Sequence, residues 1–426
     1  MMSVGVKTKT ALTPLQKPAR LASVLGPLSM ILVSSVFLAG CGDSSGQHTE
    51  YSASQSDFDF RIPSSVPAPF VPEDNPMSIE KVELGRHLFF DTRLSGNQTQ
   101  SCASCHEQAL GFADGVALPS GSTGEVLAKN SQGLLNVAYN STFTWANHSL
   151  TSLADQHMVP LFGEFPVELG VNDHNKEEIL LRLSTDPSYQ QMFAEAFPEA
   201  TAENSSDGTP DVITDVITDV INFSNISKAM ASFIRSMVSF NSDFDRYEQG
   251  DETALTDSQK RGMAMFFSEK TECFHCHGGF NFSQSTLHSQ TVFFEAPFFN
   301  NGLYNLDGNG SYPAGNQGLF ELTGKEEDKG KFRPVSLRNI EVTAPYMHDG
   351  SIDTLEEVIE MYAAGGRAPT TVNGMPTGDG RLNPNKSGFV GGFSLTEQEK
   401  QDLLDFLKSL TDKSFNQDAR FSNPHQ

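Results

Sequence analysis

The sequence predicts a mainly α-helical protein with few strands, built from two related halves, on three observations. Strand-like alternation of apolar and polar residues is scarce along the chain. Apolar segments with helical spacing open on capping boxes, at Thr256 with Gln259, Thr354 with Glu357 and Thr396 with Glu399. One short stretch also occurs twice, as Cys102-Ala103-Ser104-Cys105-His106 and Cys273-Phe274-His275-Cys276-His277.

Each repeat is a Cys-x-x-Cys-His, the arrangement that attaches a c-type haem. Two thiols two residues apart can add to the two vinyl groups, while the following His turns back onto the iron. The competing readings are a four-thiolate zinc site and a redox dithiol. The pairs are too far apart for the usual zinc-ribbon spacing, and neither reading calls for a His after both pairs. Four of the five cysteines are used this way, which leaves only Cys41. The fold expected is therefore two cytochrome c-like haem domains related by duplication, each carrying one haem c. Leu84-Gly85-Arg86-His87-Leu88-Phe89-Phe90 before the first motif and Arg261-Gly262-Met263-Ala264-Met265-Phe266-Phe267 before the second read as equivalent short helices.

At the N-terminus, Lys7, Lys9, Lys17 and Arg20 precede an apolar run from Leu21 to Phe37, which is short of the roughly 20 residues a spanning helix needs. Residues 1–40 are expected to be a cleaved leader. The run ends in Leu38-Ala39-Gly40-Cys41, which resembles the bacterial lipobox and implies lipidation of Cys41 and a location in the periplasm, anchored to the outer rather than the inner membrane. Residues 41–74 read as a tether, rich in Ser, Gly and Gln over its first part.

Losing the leader removes four basic and no acidic side chains, so the mature chain carries 25 Lys plus Arg against 53 Asp plus Glu, a net charge of −28. That balance argues against a nucleic-acid partner and suits a basic redox protein. Roughly 370 residues beyond the tether exceed one ordinary core, so two domains are expected, at 75–245 and 246–426. The repetitive segment Asn204 to Asn222 reads as a loop decoration, and Ile226 to Phe244 as a helix joining the halves. In the last helix Leu403, Leu404, Phe406, Leu407 and Leu410 share one face.

Between His106 and Trp145 there is no other His and no Met, so nothing in that stretch can cap the first iron from its far side. Such an open position suits peroxide binding. From here the sequence resembles the bacterial di-haem cytochrome c peroxidase/MauG family over essentially the whole mature chain, and within it the MbnH-like subgroup. The family resemblance rests on Leu84 to Asp91, Arg93-Leu94-Ser95, Ser101 to His106, Pro166-Val167-Glu168-Leu169-Gly170, Ser336 to Ile340 and Thr343 to Gly350, and the likeness to the MbnH-like subgroup on Phe162 to Glu168 and Met361 to Arg367.

The resemblance implies that Trp145 lies between the haems and that Gln156 and Glu168 line the open face of the first haem. An amide can orient bound peroxide, and a carboxyl in an apolar pocket has a raised pKa and can shuttle a proton. The spacing departs from the common pattern by one residue before Gln156 and two before Glu168, which keeps His157 and Glu164 as alternates. Calcium between the domains, held by Asn130, Thr343 and Pro345, is also implied.

The far ligand of the second haem is Met in the family's peroxidases and Tyr in MauG and MbnH. Fourteen residues after His348 stands Tyr362, on a stripe with Leu355, Val358 and Ile359, while Met361 lies about 100 degrees around the helix. A phenolate stabilises oxidised iron, whereas a thioether raises the potential.

The activity implied is a peroxide-dependent oxidation of side chains on a secreted partner protein through a high-valent state shared by both haems. For the MbnH-like subgroup that partner is an MbnP-like copper-binding protein. The alternatives are a cytochrome c peroxidase, drawing electrons from a small cytochrome or cupredoxin, and a non-enzymatic electron-transfer cytochrome.

Overall fold

Ser78 starts the first long helix by accepting a hydrogen bond from the Lys81 amide, and Asp91 ends it by capping the turn that follows. This helix, α1 (Ile79–Phe90), is one of nine helices of six or more residues among the described residues. The others are α2 (Leu153–Phe162), α3 (Lys176–Ser184), α4 (Pro187–Ala196), α5 (Phe223–Ser236), α6 (Asp243–Glu248), α7 (Asp257–Phe266), α8 (Leu355–Ala363) and α9 (Glu397–Lys408). The computed structural model describes residues 58–199 and 219–426. The expected leader, Cys41, the first part of the tether and most of the Asn204 to Asn222 repeat lie outside them. Among the described residues the strands are two antiparallel pairs of two residues each. Phe299–Asn300 pairs with Lys331–Phe332, and Thr371–Val372 with Met375–Pro376.

The two halves repeat one packing device. Gly85 on α1 lies so close to α5 that an added Cβ would stand 2.1 Å from the Ala229 carbonyl oxygen and 2.8 Å from Phe233 Cβ. Gly262 on α7 meets α9 in the same way, 1.9 Å from the Asp402 carbonyl oxygen and 2.8 Å from Phe406 Cβ. Each glycine lets two helices cross backbone to backbone, which aims the C-terminal end of the first helix at its Cys-x-x-Cys-His turn.

Here the fold differs from the expected joining helix. α5 stops at Ser236, and Ile226, Ala229, Met230 and Phe233 are fully buried in the first core instead of bridging to the second. The apolar stripe was long enough to be satisfied by α1 and α2, so the chain breaks at residues 237–242 and restarts at the Ser242 capping box of α6.

One core gathers α1 to α5, and another gathers Phe244, Phe266, Phe282, α8 and α9. Beside the second core, Arg338 and Asp245 form an ion pair at 2.8 Å, nearly fully buried, with the guanidinium stacked 4.3 Å from the Phe240 ring. The C-terminal segment then returns to the first half, where Phe415 and Phe421 pack beside Phe89 and Phe112. Gln108 donates to the Phe415 and Asp418 carbonyls.

Candidate active site

In the first motif, Cys102–Ser104 form one turn of 3-10 helix capped reciprocally by Ser101 and Ser104. His106 follows, and its Nδ1–H donates to the Phe112 carbonyl at 2.7 Å, so that Nε2 is free to serve as a ligand. The bend that supplies this carbonyl uses Gly111 and Phe112, both left-handed at φ 62°. Burial lowers the His106 pKa, which keeps the imidazole in its neutral, metal-binding form.

In the second motif, His277 Nδ1 is 3.0 Å from the Val335 carbonyl and 3.3 Å from that of Phe282, and burial again lowers its pKa. Burial pushes the Cys102 and Cys276 thiols up to about 12 and Cys105 to about 11. A redox dithiol needs one thiol lowered, so this environment opposes that chemistry. The four thiols are unpaired. Among the described residues they do not converge as a metal cluster either.

Cys273, Cys276 and His277 open onto a cavity with about 1330 Å³ of empty space including its mouth, walled by Leu355, Val358, Ile359, Leu403 and Leu407. Tyr362 lines this cavity together with Asn301. Burial raises the phenol's pKa. Met361 is turned away into the core at 7% exposure. Two thiols, an imidazole and a phenol around one apolar slot would fit a covalently attached haem c.

Three further residues face this slot, of which Met347 and His348 belong to the Thr343 to Gly350 stretch and Asn301 carries no motif signature. Asn301 Oδ1 and His348 Nε2 are buried without a hydrogen-bond partner, and His348 stacks on Phe332 at 3.8 Å. Met347 also reaches the cavity, with its Sδ 3.4 Å from Asn301 Nδ2.

Trp145 borders both this cavity and a second one of about 660 Å³, which runs from Gly111 and Gln132 on the first-motif side to Val335 and Met347 on the other. Its indole N–H donates to the Asn130 carbonyl at 2.9 Å. Arg333 wraps around it, with the backbone N–H donating to Trp145 O, Nε to Thr144 O and Nη2 to Gln132 Oε1. Arg333 Nη1 is buried and unpartnered. Sequence reasoning passed over Arg333, because only its position between the cavities marks it. Asn130, Thr343 and Pro345 line this second cavity together. Asn130 Nδ2 is already spent on the Val116 and Ala117 carbonyls.

On the other side of the first motif, burial raises the Glu168 pKa, and its carboxylate in turn raises both Cys102 and Cys105. Glu168 therefore shares the environment of the first attachment turn. Glu164 is exposed, and Gln156 is half-buried on α2. His157 belongs to the inward stripe of α2 with Leu153 and Leu161. It leans towards the Leu153 carbonyl without reaching hydrogen-bond geometry, and both ring nitrogens are unpartnered. Burial depresses its pKa to about 3, and the Arg235 guanidinium acts in the same direction.

Residues 79–253 match the family model described as di-haem cytochrome c peroxidase. The chain is 34% identical over 376 residues to cytochrome-c peroxidase IdrP1 of Pseudomonas sp. (strain SCT), covering 85% of this chain and 89% of that protein. It is 31% identical over 354 residues to the methylamine utilization protein MauG of Methylorubrum extorquens, covering 82% and 83%. Among solved structures, a MauG-like protein associated with microbial copper homeostasis superposes with a TM-score of 0.79 at 47% identity. That match covers 87% of this chain and all of the other.

Proposed function

Because the chain belongs to the di-haem cytochrome c peroxidase/MauG family and is therefore a di-haem oxidoreductase, we propose that it uses hydrogen peroxide to oxidise side chains of a secreted partner protein, in the MauG/MbnH manner. The observation that carries this reading is the placement of Tyr362 in the second haem cavity with Met361 packed away from it. The 47% identity to the MauG-like protein supports the same subgroup.

The haems supply peroxide cleavage and storage of two oxidising equivalents. Every other step falls to the chain. Glu168, kept protonatable by burial, carries the proton from the near to the far peroxide oxygen, and Gln156 orients the peroxide. Trp145, with its N–H fixed on Asn130, is the aromatic path between the cavities. Two electrons and two protons convert one peroxide to two waters, and the partner side chain loses the two electrons.

In this reading the partner is a basic or MbnP-like copper-binding secreted protein, for which the acidic balance of the chain is suited. Cys41 anchors the protein by lipid in the periplasm, domains 75–245 and 246–426 each hold one haem, and Asn130, Thr343 and Pro345 hold a calcium between them.

The test compares two variants of the holoenzyme. Tyr362→Phe should keep both haems attached and peroxide binding intact while abolishing oxidation of the partner, and Met361→Leu should change little. The second reading, cytochrome c peroxidase, is favoured by the identity to IdrP1. It replaces the first if Met361→Leu removes the low-spin EPR signal while Tyr362→Phe keeps it, and if reduced cytochrome supports turnover.

A further inference from the structure

Beside the second attachment turn, three side chains converge on the outer surface. His275 Nε2 lies 2.8 Å from Glu272 Oε2 and 3.6 Å from Glu269 Oε2, and the three potential ligand atoms all fall within 4.8 Å of one another. Ligands of a tetrahedral metal with bonds of about 2.1 Å are about 3.4 Å apart, so small side-chain adjustments complete such a set.

The group is held in place. The His275 ring stacks between Phe389, 4.1 Å away at 11°, and Phe274, 4.1 Å away at 32°. Glu272 is left-handed at φ 57°, a conformation costly for a residue other than glycine, and this turns its carboxylate back onto His275. Lys270, the nearest cation in sequence, is committed to Glu399 instead. Two carboxylates are thus drawn onto one imidazole with Glu269 open to solvent.

We propose that Glu269, Glu272 and His275 bind one divalent transition-metal ion through one nitrogen and two carboxylate oxygens, with water completing the coordination. By ligand type and the usual order of divalent affinities, Cu2+ binds more tightly than Zn2+. His275 stands between Cys273 and Cys276, so a bound cation places positive charge at the thioether edge of the second haem and raises its reduction potential. That consequence rests on haem attachment at this motif.

The test uses chelator-treated holoenzyme carrying both haems, titrated with Zn2+ by calorimetry and with Cu2+ by EPR. One saturable site per chain is expected, with coupling to a single imidazole nitrogen. Glu269→Gln/Glu272→Gln should weaken binding by about tenfold or more, the size of effect seen when metal-site partners are removed. His275→Phe, which keeps the ring stack, should erase the nitrogen coupling. Zn2+ saturation should raise the midpoint potential of the low-spin haem in the parent protein and not in the double variant. Haem content and metal-free peroxide reactivity should be the same in all, so a failure here leaves the peroxide reading intact. Binding of equal affinity in parent and double variant, which would mean an adventitious ion only, or the lack of a saturable site, overturns the proposal.

Discussion

The Trp145 indole N–H donates to the Asn130 carbonyl at 2.9 Å, fifteen residues upstream, and this bond sets the ring edge-on to His348 with centroids 6.4 Å apart. The side chain shared by the two cavities is thus fixed from the first half of the chain and bracketed from the second by Arg333. Trp145→Phe removes the donor and leaves a carbonyl unsatisfied, a cost of about 1–3 kcal/mol. Thermal unfolding of the holoenzyme should register that loss. Both haems should remain attached, peroxide should still react, and partner oxidation should disappear, as followed by mass spectrometry of the partner.

Glu168→Gln keeps the shape of the pocket and removes its titratable proton. Stopped-flow mixing with peroxide should show a reaction slowed about 100-fold or more, within the usual range for a lost acid–base group. A rate unchanged from the parent removes Glu168 from the proton path. Stability gives an independent reading. Burial raises this carboxyl from its ordinary 4.5, so above that pH the unfolded chain releases a proton that the folded chain still holds. Its contribution therefore declines as pH rises from 4.5 to the raised value and is level beyond it. Glu168→Gln should remove that decline from the denaturant midpoint measured against pH.

His157 has the opposite linkage. Its folded pKa of about 3 lies below the ordinary 6.5, so between those values the unfolded chain takes up a proton that the folded chain excludes. Stability should fall as pH drops through this window, by on the order of 3 kcal/mol at pH 4 relative to neutral pH. His157→Phe should flatten the acid limb in urea titrations and cost little at pH 7, because both nitrogens lack partners. A larger loss of peroxide reactivity in His157→Phe than in Gln156→Leu would move the peroxide-orienting role from Gln156 to His157.

Gly85→Ala and Gly262→Ala should each destabilise by about 1–3 kcal/mol or more, since the new methyl meets backbone that cannot yield. Equal penalties at the two positions are expected from the shared crossing geometry. Differential scanning calorimetry would measure them, and an unchanged melting temperature in either variant would mean that its helix pair can slide apart.

The local chemistry of this protein was legible in its sequence because it depends on neighbours a few residues apart. The spacing of the thiols and the His after them is covalent geometry. The capping boxes at Thr256, Thr354 and Thr396 form as expected, each within three residues. The stripe that turns Tyr362 towards the cavity is a property of helical period alone. Tertiary structure decided what depends on segments distant in the chain. Arg333 reaches Gln132 across 201 positions, and its importance arises only when the two halves dock. Asn301 lines the same cavity as Tyr362 from a loop without any pattern. The apolar face of α5 could equally have joined the halves. It docks into the first core because Gly85 lets α1 approach closely enough to bury it. Whether Gln156 or His157 turns inward is a choice of about 100 degrees on one helix, and packing against α5 made it, burying the imidazole and leaving the amide half-exposed. Periodicity identifies a face, but only the neighbouring surface determines which polar atom on that face is left without a partner.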